Sequence, residues 1–456
     1  MKVYLALLMT LILFGCSFTP DMKRPEIELP STIQQPPDSE SRIPSTWWKQ
    51  FNDPLLDKLI DDALRNNDDL MIAVSRIEQA GAILGLSNAE LYPLITADGT
   101  ITRSDSSNEV KNGGGTKNIF TISGMISYEI DLWGRLKNKR DANLSRFLST
   151  KAARDSIEIS IISAVTSTYF NLISIENQIK IAEDIMNRQK DIYEFKQKQF
   201  RYGMIDELIL EQSRAEYEST MVLLETLKAQ RENIKSSLSI LLGKSPKEMF
   251  EDRINPPKDL PKQIPLPFIT SESLLKRPDI IQAEEDLMAA NLEIGAARAS
   301  YFPNISLTGS AGLQSNELAN LIRSSASFWN IGAIVVGNVL DFGRTRNTVI
   351  LREAQKKEAL LQYIKTVRTA FKEVYDGLSN LEQSIKRLEA QKAQLNSLER
   401  IVTLAEKKYE RGLTDYLTVL DSQRGYLNAR LKLTRLQAEV LNNQVFLYKA
   451  IGAGRR

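Results

Sequence analysis

Few residues in this chain have both the type and the spacing to do chemistry. The single cysteine, Cys16, is a lone thiol and cannot form an intramolecular disulfide framework. Asp421 and Arg424 stand at i and i+3 of a helical pattern, on neighbouring positions of one face. On spacing alone they read as two solvated charges on a coiled-coil surface. Gly243-Lys244-Ser245 has the ending of a phosphate-binding loop, but Leu238 stands where the earlier glycine is required. The segment also follows a helical run rather than a strand, and Pro246 comes next. There is no histidine, which excludes histidine-based triads and Cys/His zinc sites. With no serine elbow, dinucleotide fingerprint or metal-binding carboxylate motif, the chain reads as no enzyme, with no metal and no cofactor.

Composition narrows the class further. The chain has 456 residues, with 59 Lys+Arg against 57 Asp+Glu and a formal net charge of +2. That balance argues against nucleic acid as a partner, which calls for a strong basic excess or stripe. The length suits about two to four ordinary domains. Gly and Pro, at 22 and 16, are sparse, and charged helix formers are abundant. Long helices fit this composition better than a disordered chain.

The N-terminus gives Cys16 a role. Met1-Lys2 precedes an apolar stretch from Val3 to Phe14, too short for a membrane-spanning helix of about 20 residues. A basic start followed by a short apolar run reads as a secretory signal. It ends Leu13-Phe14-Gly15-Cys16-Ser17, similar to a bacterial lipobox apart from the bulky Phe14. The match implies that Cys16 is lipidated, with a diacylglycerol and an N-linked acyl chain (palmitate among them), and becomes the first mature residue. An ordinary signal peptide with an incidental cysteine is the alternative. Each buried lipid CH₂ contributes about 0.8 kcal/mol, so several chains anchor firmly. No later run of 18 consecutive apolar residues occurs.

The elements behind these residues come in two sets. Asp69-Leu70 through Pro93 matches Asp279-Ile280 through Pro303, and Asp131-Leu132-Trp133-Gly134-Arg135 matches Asp341-Phe342-Gly343-Arg344. Phe200-Arg201-Tyr202-Gly203 with Asp206 matches Tyr409-Glu410-Arg411-Gly412 with Asp415. The offset stays at 209 or 210, far longer than a solenoid period, which indicates a duplicated domain. The chain divides into a signal peptide (1–15), a lipidated N-terminus and tether (16–50), a first repeat (51–250), a Pro-rich linker (251–267) and a second repeat (268–456).

Each repeat reads as helix, two strands, very long helix, sharp turn and helix. In the first, one helix is expected from Pro54 to Leu91. Asn118–Asp131 then alternates, with Phe120, Ile122, Ile126, Tyr128 and Ile130 on one face and Thr121, Ser123, Ser127 and Glu129 on the other. Such alternation marks a transmembrane β-barrel strand; on pattern alone a soluble hairpin fits equally. Asn304–Leu313 alternates likewise, and Ser327–Leu340 is more uniformly apolar. Leu136–Phe200 lacks Pro and Gly, and Thr345–Arg411 has only Gly377. Each would be roughly 100 Å long as one helix, which favours coiled-coil packing. Gly203 and Gly412 mark the turns, each followed by an aspartate able to cap a returning helix, Ile205–Leu242 or Thr414–Ala450. The fold class is therefore mainly α with a small β part, internally duplicated. Four strands cannot close a transmembrane barrel, whose minimum is about eight, so spanning a membrane requires several copies.

This arrangement resembles the outer-membrane factor family of TolC- and OprM-like efflux ducts, from Trp47-Trp48 to Gly452. The residues that carry the likeness are Trp47-Trp48 with Asp53-Pro54-Leu55-Leu56, Tyr128 to Gly134, Arg277-Pro278-Asp279-Ile280, and Leu420-Asp421-Ser422-Gln423-Arg424. The lipobox places the chain nearest the lipoprotein branch. The resemblance implies a homotrimer whose strands complete a 12-stranded barrel in the bacterial outer membrane, above a periplasmic helical tunnel. It implies a periplasmic adaptor and an inner-membrane efflux transporter, of the proton-driven type, as partners, with small toxic molecules as cargo. Tyr409, Asp421 and Arg424 match the periplasmic gate, where three copies of Asp421 would form an acidic ring. Thr418 departs from the TolC pattern, which has a second aspartate there. Gly203, Asp206, Gly412 and Asp415 match the tips where adaptors dock. Loops near Asn112–Thr116 and Leu318–Ser325 would face outside. Two other readings stay open: a coiled-coil spacer lipoprotein, and a duct that exports proteins.

Overall fold

A computed structural model describes residues 18–22, 27–28, 45–105, 107, 109, 115–245, 247–248, 259–264 and 269–454. Cys16, the signal peptide, most of the tether and linker, and residues 112–114 of the first loop expected to face outside lie outside the described residues. The helices are α1 (Pro54–Asn66), α2 (Asp68–Ala89), α3 (Arg135–Arg201), α4 (Glu207–Leu241), α5 (Ser271–Leu275), α6 (Pro278–Ala299), α7 (Arg344–Glu410) and α8 (Tyr416–Ala450). The strands are β1 (Leu94–Asp105), β2 (Thr116–Ile130), β3 (Asn304–Ser315) and β4 (Ser327–Val336). The duplication is visible in the lengths. α3 and α7 each have 67 residues, and α4 and α8 each have 35.

The chain forms two compact units. The first comprises residues up to Ile27 with Ser75–Lys151 and Ile281–Lys365. Its sheet is antiparallel in the order β1-β2-β3-β4. The register lines Ile95, Ile126, Gly309 and Ile331 across one face, and Asp98, Ser123 and Gly312 across the other. On the polar face Ser123 Oγ donates to Asp98 at 2.5 Å and Gln314 Nε2 donates to Thr121 at 3.2 Å. On the apolar face Ile95, Ile101, Trp329 and Ile331 are each at least 74% exposed. The alternation expected of Asn118–Asp131 and Asn304–Leu313 is present. β4 is shorter than the expected Ser327–Leu340: it stops at Val336, where a Cβ on Gly337 would meet Pro303 at 3.1 Å.

Below the sheet, Asp131 caps α3 by accepting from the Leu136 and Lys137 amides at 3.1 and 2.8 Å. Trp133 Nε1 donates to the Pro303 carbonyl at 2.8 Å, and its ring stacks on Phe302. Phe18 stacks on Phe302 at 4.8 Å. Thr19 Oγ1 donates to Asn138 at 2.8 Å, and Asn291 Nδ2 donates to the Pro20 carbonyl at 2.9 Å. The short stretch two residues beyond Cys16 is thus seated against α3 and α6.

The second unit comprises Glu28–Val74, Ala152–Ile280 and Thr366–Arg456. Its core gathers Trp47, Trp48, Phe51, Tyr169, Phe170 and Tyr448. Trp47 stacks on Tyr448 at 4.7 Å. Asp53 caps α1 by accepting from the Leu55 and Leu56 amides and takes a 2.7 Å hydrogen bond from Tyr169. Burial and the Asp53 carboxylate both push the Tyr169 phenol upward. The motif Trp47-Trp48…Asp53-Pro54 is therefore a core and capping device. The single helix expected over Pro54–Leu91 is two helices. They part at Asn67, whose backbone is extended and whose amide group donates to the Leu241 carbonyl while accepting from Leu70 N.

Candidate gate at the helix turns

The two turns joining α3 to α4 and α7 to α8 are built alike. Gly203 and Gly412 have φ of 70° and 72°, a region that costs an L-residue its Cβ clearance. Gly203 N donates to the Phe200 carbonyl and Met204 N to the Gln199 carbonyl, both at 2.9 Å. Gly412 N and Leu413 N donate to the Tyr409 and Lys408 carbonyls, also at 2.9 Å. These bonds close the helix C-termini in the Schellman pattern. Asp206 then caps α4 through Ile209 N at 2.9 Å, and Asp415 caps α8 through Thr418 N at 2.8 Å. Thr418 Oγ1 also donates to Asp415 at 2.6 Å, and the two bonds hold the Asp415 carboxyl below the usual aspartate range. Thr418 is thus part of this cap.

Around Tyr409 the packing is aromatic and cationic. Lys196 on α3 is 5% exposed. Its Nζ donates to Tyr409 Oη at 2.9 Å and lies 5.0 Å from the ring centroids of both Tyr409 and Tyr416. A lysine is tolerated at this depth because its charge faces two π surfaces and a phenol oxygen. Tyr416, Val419, Leu420 and Ala405 form a small core with Ile192, Ile209 and Tyr409 packed on it. Burial pushes the Tyr416 phenol up to about 12, and its hydroxyl is buried without a hydrogen-bond partner among the described residues.

One turn into α8, Arg424 has two acidic neighbours. Arg424 Nη1 is 3.8 Å from Asp421, whose side chain is 67% exposed. The stronger contact of Arg424 is with Glu216 on α4, at 2.6 Å, and the Glu216 side chain is only 6% exposed. Next to it, Gln189 on α3 donates to Gln423 at 3.2 Å, and Gln423 donates to Glu406 on α7 at 2.8 Å. Four helices are therefore tied by polar contacts within a few residues of Asp421. Glu216 and Lys196 were not singled out from the sequence. Glu216 carried a signal: Ser213, Glu216, Thr220, Leu224 and Leu227 form one buried helical stripe, and a charge on such a stripe needs a partner. Lys196 sits among other charged and amide residues and carried none.

Comparison with known proteins places this geometry. Residues 59–244 and 269–453 match the model of the family described as outer membrane efflux protein. The chain is 32% identical over 451 residues to the cation efflux system protein CusC of Escherichia coli K12, covering 97% of both. It is 31% identical over 466 residues to the toluene efflux pump outer membrane protein TtgI of Pseudomonas putida, covering 97% of this chain and 96% of that one. The crystal structure of the CmeC outer membrane channel of Campylobacter jejuni matches it with a TM-score of 0.91 at 28% identity, covering 97% and 96% of the two chains. With the match running through both halves of the sequence, the chain belongs to the outer membrane efflux protein family.

Proposed function

We propose that the chain is the outer-membrane exit duct of a tripartite efflux system, a passive homotrimeric channel without catalytic chemistry. The observation that carries this reading is the open sheet. β1 and β4 each leave one edge unpaired among the described residues, and the apolar face is exposed. Free backbone edges are not tolerated in hydrocarbon, so a membrane-spanning sheet of this kind is closed by other copies. Three copies supply twelve strands, above the minimum of about eight.

A periplasmic adaptor and an inner-membrane transporter, proton-driven, supply cargo and energy. The turns at Gly203, Asp206, Gly412 and Asp415 expose Met204, Leu208, Leu413 and Leu417, an apolar surface suited to an adaptor. The named cargoes of CusC and TtgI, cations and toluene, differ although both are about equally similar to this chain. Selection of small molecules therefore belongs to the pump. Cys16 carries the lipid anchor. Tyr409, Asp421 and Arg424 form the periplasmic gate, and opening separates Arg424 from Glu216 and Tyr409 from Lys196.

The test is planar-bilayer conductance of the purified protein beside Asp421→Ala/Arg424→Ala. Larger or longer openings in the variant support closure at these residues. Equal conductance keeps the duct and moves the gate. A folded protein that neither inserts nor conducts sinks the duct and returns the chain to a spacer lipoprotein.

A further inference from the structure

Within the first unit, the stretch that follows Cys16 covers a polar cavity that gating does not use. The cavity, of about 480 Å³, lies between residues 19–22, the start of α3 and the middle of α6. Gly134, Lys137 and Asn138 of the α3 end line it, and so do Asn291 and Leu292 of α6. Asp21 borders it from the tether. Two buried side chains leave a polar atom unused there. Asn138 and Asn291 are 5% and 2% exposed. Asn138 Oδ1 accepts from Thr19, and Asn291 Nδ2 donates to the Pro20 carbonyl. Asn138 Nδ2 and Asn291 Oδ1 have no hydrogen-bond partner among the described residues. One is a donor and the other an acceptor. Buried polar groups are nearly always paired, so the two call for an occupant that accepts at one point and donates at another. Gly295 keeps the approach open, since a Cβ there would stand 2.7 Å from Asn138 Nδ2.

The charges at the rim repeat this division. Lys137 and Asp21 are exposed, and neither has an ion pair among the described residues. Lys137 and Asn138 stand in the first turn of the 67-residue α3, where the helix dipole favours an anion. Asp21 and Asn291 Oδ1 favour a cation that carries N–H groups. The other two aspartates at the border are engaged: Asp131 caps α3, and Asp141 lies 2.7 Å from Arg140. The level of the cavity in the fold is also informative. Phe18, Trp133 and Phe302 stack beside it, next to the start of β3 at Asn304, and Tyr92 and Tyr301 are exposed nearby in sequence. Aromatic residues at the end of an apolar sheet face mark the level of lipid headgroups.

We propose that this cavity takes the headgroup of a membrane phospholipid whose phosphate carries a primary ammonium, as in phosphatidylethanolamine. The phosphate oxygens meet Lys137 and Asn138 Nδ2, and the ammonium meets Asp21 and Asn291 Oδ1. A quaternary ammonium has no N–H for Asn291, and a glycerol headgroup has no charge for Asp21. The lipid expected on Cys16 is not the occupant, because its diacylglycerol carries neither phosphate nor ammonium. A metal ion fits less well, since no group of three or more acidic ligands among the described residues could hold one. The inference rests on the reading of the sheet as membrane-spanning and adds a lipid that the anchor segment itself helps to enclose.

The experiment uses the full-length protein, delipidated in detergent and titrated with phosphatidylethanolamine, phosphatidylcholine or phosphatidylglycerol of the same acyl chains. Native mass spectrometry counts the lipid bound. One phosphatidylethanolamine per chain is expected, held about fivefold more tightly than either of the others. Asp21→Asn is expected to erase that preference. Lys137→Ala is expected to weaken all three lipids by about threefold and keep the order. Both side chains are exposed and make no described hydrogen bond, so neither change threatens the fold. Wild-type protein that binds the three lipids equally, or none of them, would overturn the site and leave water as the partner of the two asparagines. A preference that survives Asp21→Asn would overturn it as well. Soluble glycerophosphoethanolamine binding as tightly as the lipid would overturn the membrane as the source. Bilayer conductance of Asp21→Asn is expected to equal wild type, so failure of the site leaves the duct standing. A folded wild-type protein that neither inserts nor conducts would remove the duct reading and this one together.

Discussion

Arg424 on α8 donates to Glu216 on α4 at 2.6 Å, while Asp421, on the same face of α8, is 3.8 Å from that guanidinium and open to solvent. The contact has no counterpart in the other repeat. At the offset of 209, Arg424 corresponds to Ala215 and Glu216 to Gly425. Backbone turns are kept in both repeats, and the charged tie between returning helices exists in one. A duplicated scaffold with one set of polar ties can hold part of its wall fixed while another part moves.

The two members of that pair are unequal, which predicts an asymmetry. Glu216 is buried and Arg424 is half-exposed. Arg424→Ala leaves a buried carboxylate without its partner and is expected to cost about 1–3 kcal/mol. Glu216→Gln leaves a guanidinium that reaches water and is expected to cost less than about 1 kcal/mol. Thermal or denaturant unfolding of the two variants checks the order. Equal losses would mean that Glu216 is not held as a charged group.

The turns predict a symmetry. Gly203 and Gly412 share φ within two degrees and have open space where a Cβ would stand. Gly203→Ala and Gly412→Ala therefore meet only backbone strain, and each is expected to cost about 1 kcal/mol. Melts of both variants should shift alike. A markedly larger loss at Gly412 would show that its turn is strained by the cluster around Tyr409 and Tyr416.

How much of this was legible from the residues depends on whether the cause is local. The long helices were readable because nothing in them breaks a helix. β2 and β3 were readable because one side of each is apolar. The break at Asn67 was hidden because its side chain answers to the Leu241 carbonyl, 174 residues away. The end of β4 was hidden because Val336 and the pair Val339-Leu340 keep the segment apolar on either side of Gly337-Asn338. At the proposed gate, Tyr409, Asp421 and Arg424 were named from the family pattern. Glu216 and Lys196 lie on other helices, and only packing brings them there. Gly203, Gly412 and the two capping aspartates were legible both ways, since turn chemistry alone demands them.

The Asp415 cap predicts a pH dependence with a definite sign. Its carboxyl is held below the ordinary range by Thr418 Oγ1 and Thr418 N. A carboxylate whose folded value is depressed stabilises the fold above its unfolded value of about 3.9, and that contribution is lost as pH falls through the folded value. The stability difference between wild type and Asp415→Asn should thus be full at neutral pH and close at acid pH, below the unfolded value. Thr418→Val removes one of the two bonds and should move the closing point upward. Melting curves across pH measure both. A difference that persisted unchanged to strongly acid pH would assign the cap to geometry alone.

Arg277 offers the sharpest separation of stability from gating. It is buried, and its guanidinium donates to Asp279 at 3.0 and 2.7 Å, to Glu373 at 2.7 Å and to the Ala450 carbonyl at the end of α8. One planar fork therefore joins the start of α6, the middle of α7 and the negative end of α8's dipole. Arg277→Met leaves two carboxylates and a helix-end carbonyl without their donor. Since both carboxylates are about one-third exposed, the loss should fall near the low end for a broken buried pair, about 3 kcal/mol. Arg277→Lys keeps the charge but cannot serve three directions from one plane, and about 1–2 kcal/mol is expected to be lost. Pairing Arg277→Met with Glu373→Gln should recover part of the larger loss, because one stranded charge is then removed. None of these changes touches α3 near Lys196 or α8 near Asp421, so single-channel conductance of the folded variants should match wild type. Altered openings in Arg277→Lys would instead tie the far end of α8 to the end proposed as the gate.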